Sequence, residues 1–138
     1  MCIRDRIDPS AKNNEALRWA SRHGDTEIVE LLLEDPRVDP SAKDNEALRW
    51  ASETGHTEIV KLLLEDPRVN PSADDNYALF SASINGHTEI VKLLLEDPRV
   101  DPSSKDNYAL RLASRRGDTE IVELLIQDPR VDIKELDL

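Results

Sequence analysis

The chain has 138 residues, 38% of them hydrophobic and 34% charged, with a formal charge of −11. That describes one ordinary domain with a core and a well-solvated surface. The acidic balance argues against nonspecific binding to nucleic acid or to an anionic membrane, each of which calls for a basic footprint.

In chain order, the first stretch is Met-Cys-Ile-Arg-Asp-Arg, and it holds the only Met and the only Cys. One Cys makes no internal disulfide and no metal site by itself. Met1–Arg6 resembles the translation of the transposase end that is added to sequencing libraries. It is therefore expected to be an adapter-derived or disordered leader, with the natural protein continuing upstream. No apolar run follows it, as a secretory signal requires, and no later apolar run approaches a membrane span. The compartment defaults to intracellular, cytoplasmic or nuclear.

From Ile7 the sequence repeats with a period of 31 residues. Four contiguous copies cover Ile7–Arg37, Val38–Arg68, Val69–Arg99 and Val100–Arg130. The last eight residues, 131–138, begin like a fifth copy and then depart; Ile133, Leu136 and Leu138 are expected to cap the last pair. The first copy keeps Leu17, Trp19, Ile28, Val29 and Leu32 like an internal copy, so it lacks the polar outer face of a terminal repeat, and its helices are expected to fray.

The second copy shows the internal logic. Asn45 is an N-cap candidate. Ala47, Leu48, Trp50 and Ala51 follow at helical spacing, and Gly55 is suited to the left-handed end of that helix. Thr57 is the N-cap candidate of a second helix, with Glu58 near its positive end. Ile59, Val60, Leu62, Leu63 and Leu64 cover most of this helix, so it should be largely buried. Asp66-Pro67 ends it, because the residue before Pro is pushed out of the helical region. A connector runs on to about Asp75. Its Pro (Pro9, Pro40, Pro71 and Pro102 across the copies) donates no ladder bond, so little strand is expected. With aromatics at 4% the core must be aliphatic. Two such short helices bury their apolar faces only by stacking on neighbouring copies.

The run from Gly55 to Glu65, repeated from Gly86 to Glu96, resembles the second helix of the ankyrin repeat, and Ala-Leu-Arg-Trp-Ala-Ser sits where that family has T-P-L-H-x-A. The departures are regular. The period is 31 rather than 33, Asp-Pro-Arg replaces a Gly-containing turn, and Glu15-Ala16 or Tyr77-Ala78 stands for Thr-Pro. The resemblance implies an all-α, ankyrin-type solenoid of four stacked helix-turn-helix repeats with short Pro-containing connectors. It also implies protein binding through connector tips and the concave side of the first helices.

Internal comparison separates packing positions from variable ones. The variable ones gather on the first helix: Arg18, Arg49, Phe80 and Arg111 in one row, and Arg22, Glu53, Ile84 and Arg115 one helical turn on. Lys12, Lys43, Asp74 and Lys105 form the tips, with Tyr77 and Tyr108 beside them. In the third copy Phe80 replaces the arginine while Ser81 replaces the tryptophan. With acidic residues repeating on the second helix, a partly basic groove should oppose an acidic outer side. These residues are the candidate partner-binding site for an acidic segment of a protein, with Phe80, Ile84 and Tyr77 as its apolar anchor.

No catalytic constellation is present, so the chain is expected not to be an enzyme. His56 and His87 fill the same slot of successive copies, roughly 10 Å apart by helix packing, too far to share a metal ion bound at about 2 Å. No metal, cofactor, nucleic-acid or membrane partner is expected, and the chain should be a monomer. Arg37, Arg68, Arg99 and Arg130 should form ion pairs with neighbouring Asp, worth at most about 1 kcal/mol each. The functional expectation is a non-catalytic protein–protein interaction module, a fragment of a longer protein. The alternative is a targeting or substrate-adaptor segment of a larger enzyme, such as a ubiquitin-ligase adaptor or a kinase.

Overall fold

The computed structural model describes residues 11–131; the leader, Lys12's side chain and the expected cap of Ile133, Leu136 and Leu138 lie outside the described residues. Among the described residues eight helices follow one another: α1 (Ala11–His23), α2 (Thr26–Leu33), α3 (Ala42–Thr54), α4 (Thr57–Glu65), α5 (Ala73–Ile84), α6 (Thr88–Glu96), α7 (Ser104–Arg116) and α8 (Thr119–Gln127). Odd helices pack on odd, even on even, and each pair packs on itself, giving two layers of stacked hairpins. Among the described residues there is no strand, as the connector prolines predict.

The repeated apolar positions make one continuous core between the layers. Leu17, Leu48, Leu79 and Leu110 enter it from the odd helices, and Ile59, Ile90, Ile121, Leu63, Leu94 and Leu125 from the even ones. Val38, Val69 and Val100 close it from the connectors. Phe80 is the one aromatic among the described core residues. On the outer side Glu27, Glu58, Glu89 and Glu120 are exposed, as are Glu34, Glu65 and Glu96, so the even layer presents the expected acidic surface.

Gly55 ends α3 with φ 86°, the left-handed C-cap that only a residue without Cβ takes at little cost. Asp66 ends α4 in an extended conformation, φ −86° and ψ 119°, as its following proline requires.

The starts of the odd helices differ from expectation. Lys43, Asp44 and Asn45 have φ of 54°, 55° and 60°, a full left-handed turn inside α3. The same turn recurs at Asp74, Asp75 and Asn76 and at Lys105, Asp106 and Asn107. Right-handed helix begins only after the asparagine. Left-handed backbone costs about 1–2 kcal/mol per non-glycine residue, so other contacts must hold it. Asn45 is buried, and its side chain does not cap its own helix. Its Oδ1 instead accepts the backbone N–H of Asn70 in the next copy at 2.8 Å. Asn14 receives Asp39 N–H and Asn76 receives Asp101 N–H at the same 2.8 Å. The asparagines thus fix each turn to its neighbour's connector. Thr57 likewise opens α4 without capping it; His56 takes the N-cap position and makes no side-chain bond to the helix N–H groups.

Candidate functional site

The variable face of the odd helices is built on these turns, and the turns consume much of its charge. Arg49 donates through Nε to the Asp44 carbonyl at 3.1 Å and through Nη2 to the Lys43 carbonyl at 3.0 Å, satisfying the left-handed turn of its own copy. Its guanidinium also lies 5.5 Å from the Tyr77 ring centroid and 3.8 Å from an Asp74 carboxylate oxygen. Arg111 repeats the motif on the Lys105 carbonyl at 3.0 Å and stands 5.7 Å from the Tyr108 ring. Arg18 turns instead to the next copy, donating to Glu46 at 3.2 Å. Burial pushes the Glu46 carboxyl up, but the Trp50 indole N–H bonded to it at 2.8 Å and the nearby Arg18 outweigh that and hold it below the ordinary range.

Phe80, expected as an exposed anchor, is 7% exposed. It meets the Tyr108 ring edge-to-face at 5.2 Å between centroids, a favourable aromatic geometry. Ser81, also buried, stands next to Phe80 where the first two copies have tryptophan. Lys105 Nζ lies 6.0 Å from the Phe80 ring and 3.8 Å from Asp75. Arg18, Arg49 and Arg111 thus make bonds within the stack, and Phe80 packs in the core.

The second row keeps more of its surface. Arg22 is exposed and stacks over Trp50 of the next copy, 4.3 Å from its ring centroid. Ile84 is 41% exposed and Tyr77 36% exposed, large apolar groups facing solvent in the third copy. Arg115 is exposed, as are the tip residues Lys43, Asp74 and Lys105. Glu53 is half-buried, and its carbonyl accepts a bond from His87 Nε2 at 2.9 Å. Tyr108 is half-buried, and the Lys12 side chain lies outside the described residues.

Three sets of residues tie copy to copy, and the sequence reading gave them lesser roles. The asparagine ladder is one. The second is histidine: His56 Nε2 donates to the Arg22 carbonyl at 3.0 Å, and a Cβ on Gly24 would fall 2.7 Å from its ring. The third is the arginine of Asp-Pro-Arg. Arg99 is bidentate with Asp97, at 3.0 and 2.8 Å, and also donates to the Val69 carbonyl at the start of its own copy at 2.6 Å and to the Leu64 carbonyl of the preceding copy at 3.4 Å. The Arg99 side-chain bonds hold the Asp97 carboxyl below its ordinary value against the opposing effect of burial, and Asp66 and Asp128 behave alike. Recurrence was the available signal: the asparagine and the arginine stand in every copy, and the histidine in the second and third. Their partners lie one repeat away and could not be read from local spacing.

Among the described residues no group of three or more His, Cys, Asp or Glu is placed to hold a metal ion, and no helix is long and apolar enough to cross a membrane. A family model described as ankyrin repeats (3 copies) matches residues 3–75 and 66–137. No curated protein matches the chain.

Proposed function

This chain belongs to the ankyrin-repeat family, whose repeats are generally non-catalytic protein–protein interaction modules, and we propose that it binds an acidic segment of a partner protein through its odd-helix face. The observation that carries this reading is the combination of exposed Tyr77 and Ile84 with exposed Arg22, Lys43, Lys105 and Arg115 on one layer, opposite a layer whose exposed positions are dominated by glutamates. Like charges keep an acidic partner off the even helices, and arginines and aromatics are the residue types that most often dominate interface energetics. The arginines over Trp50, Tyr77 and Tyr108 are held in place by their rings, which reduces the rotamer entropy lost when a partner binds.

The test is a panel of immobilised peptides, acidic or basic, each with or without a central apolar residue. Acidic peptides with the apolar residue should be retained by the parent chain, and retention should fall at least tenfold in Tyr77→Ala/Ile84→Asp. Both side chains are exposed, so this double variant spares the core, which Phe80→Ala would not. Retention of basic peptides, or unchanged retention by the variant, would sink the reading.

A further inference from the structure

The turns between paired helices differ in how the next copy closes them. His56 Nε2 donates to the Arg22 carbonyl at 3.0 Å and His87 Nε2 to the Glu53 carbonyl at 2.9 Å. Their rings lie so close to Gly24 and Gly55 that a Cβ on either would fall 2.7 Å away. In the third copy Asp118 takes the histidine's slot, and an ionised carboxylate has no proton to donate to the Ile84 carbonyl. A Cβ on Gly86 would meet the Asp118 oxygen only at 3.4 Å. The Gly86 N–H is also loosely held. It reaches the Ser83 carbonyl at 3.4 Å, where those of Gly24, Gly55 and Gly117 reach carbonyls at 2.9, 3.0 and 3.1 Å. Gly86 follows Asn85, and this is the only Asn-Gly step in the sequence; the counterparts of Asn85 are His23, Thr54 and Arg116. Asn85 is exposed, whereas Asn14, Asn45, Asn76 and Asn107 are buried. Asn70 is exposed but precedes Pro71, which has no N–H.

We propose that Asn85 is a site of spontaneous covalent modification that ages the odd-helix face. The Gly86 backbone nitrogen attacks Asn85 Cγ. The new C–N bond closes a five-membered succinimide, the Cγ–Nδ2 bond breaks, and the side-chain amide leaves as ammonia with the Gly86 amide proton. Water then opens one of the two imide C–N bonds, giving isoaspartate or aspartate. The balance is one water consumed and one ammonia released, with no other reactant. Glycine favours the attack because no side chain crowds its nitrogen. Asn85 caps α5 with φ −96° and ψ 3°, and ψ must swing away from that value to bring the nitrogen to Cγ. The reaction therefore runs through local opening, and the missing histidine clamp and the long Gly86 bond make this the turn that opens most readily. The product undoes the cap. Asn85 Nδ2 donates to the Ser81 carbonyl at 2.8 Å; a carboxylate there cannot donate and sits at the negative end of α5. The new anion also stands beside Ile84, 41% exposed, so it repels an acidic segment. That last consequence rests on the binding reading above; the modification itself does not.

Storage of the folded chain in mildly alkaline buffer, followed by peptide mapping with mass spectrometry, tests the proposal. Asn85 should be the first asparagine to gain one mass unit, with isoaspartate in excess of aspartate, the signature of a succinimide. Asn85→Gln, whose longer side chain closes no five-membered ring, should stay unmodified at this position. Asn85→Asp carries the same new charge and should melt about 3–6 °C below the parent. The aged fraction, separated by anion exchange, should retain acidic peptides at least threefold less than the fresh chain. Asn85 left intact while another asparagine is converted would overturn the proposal, as would conversion to aspartate alone. Equal retention by the fresh and aged fractions would overturn its effect on the face. A fresh chain that retains no acidic peptide would overturn the binding reading instead, and the mapping would still decide the modification.

Discussion

Replacing Asp44 by glycine should stabilise the protein, and replacing it by alanine should not. Asp44 is exposed and sits at φ 55° in the middle of the left-handed turn of α3. Only its backbone carbonyl is used, as the acceptor of Arg49 Nε, so neither substitution removes a side-chain contact. At such a backbone angle a Cβ costs about 1–2 kcal/mol. Glycine escapes that cost but loses about 0.5–1 kcal/mol through the greater freedom of its unfolded chain. The net is roughly 1 kcal/mol in favour of Gly over Ala. In an ordinary right-handed helix the order is opposite, with Ala better by about 1 kcal/mol. The two descriptions of residues 43–45 thus differ by about 2 kcal/mol in one charge-matched comparison. Urea unfolding followed by circular dichroism resolves this, and so does a melting temperature higher by about 3–5 °C in the glycine variant. Asp106→Gly should add a similar increment, because the two sites are distant and independent. An alanine variant more stable than the glycine variant would refute the left-handed turn.

Ser52 and Ser83 are fully buried and their hydroxyls have no hydrogen-bond partner. Ser52→Ala and Ser83→Ala should therefore be neutral or stabilising by about 1 kcal/mol in the same unfolding assay. Arg99→Lys keeps the charge but not the fork that reaches both Asp97 and the Val69 carbonyl, and should cost about 1 kcal/mol. Because their arginines hold Asp66, Asp97 and Asp128 below the ordinary carboxylate value of 3.8, their contribution is complete above that pH and disappears as the pH falls from there through the lower folded values. Stability measured from pH 5 to pH 2 should drop, and the drop should be shallower in Asp97→Asn.

Much of the architecture was legible because it rests on strong local signals that repeat. Periodic Ala and Leu positions, Gly55 and Asp66-Pro67 placed the helices and their ends, and the repeated apolar positions proved to be the core. The left-handed turn was not legible. Lys-Asp-Asn contains no glycine, and its conformation is held from elsewhere, by Arg49 on its carbonyls and by Asn70 N–H on Asn45. The same cause hid the contacts of the odd face: Arg18, Arg49 and Arg111 recur at one position of the 31-residue repeat, and their partners are backbone carbonyls and a carboxylate of the next copy. Phe80 shows the remaining limit. The arginines of its row are half-buried in the first two copies and exposed in the fourth, whereas Phe80 is buried against the edge of Tyr108, a residue one copy away.

The most direct test of the binding account is to select peptides from a random display library on the immobilised chain and map the best of them by amide chemical shifts. The account predicts acidic peptides with an apolar residue, and shifts centred on Arg22, Tyr77, Ile84 and Arg115. Basic peptides, or shifts concentrated on α2, α4, α6 and α8, would contradict it.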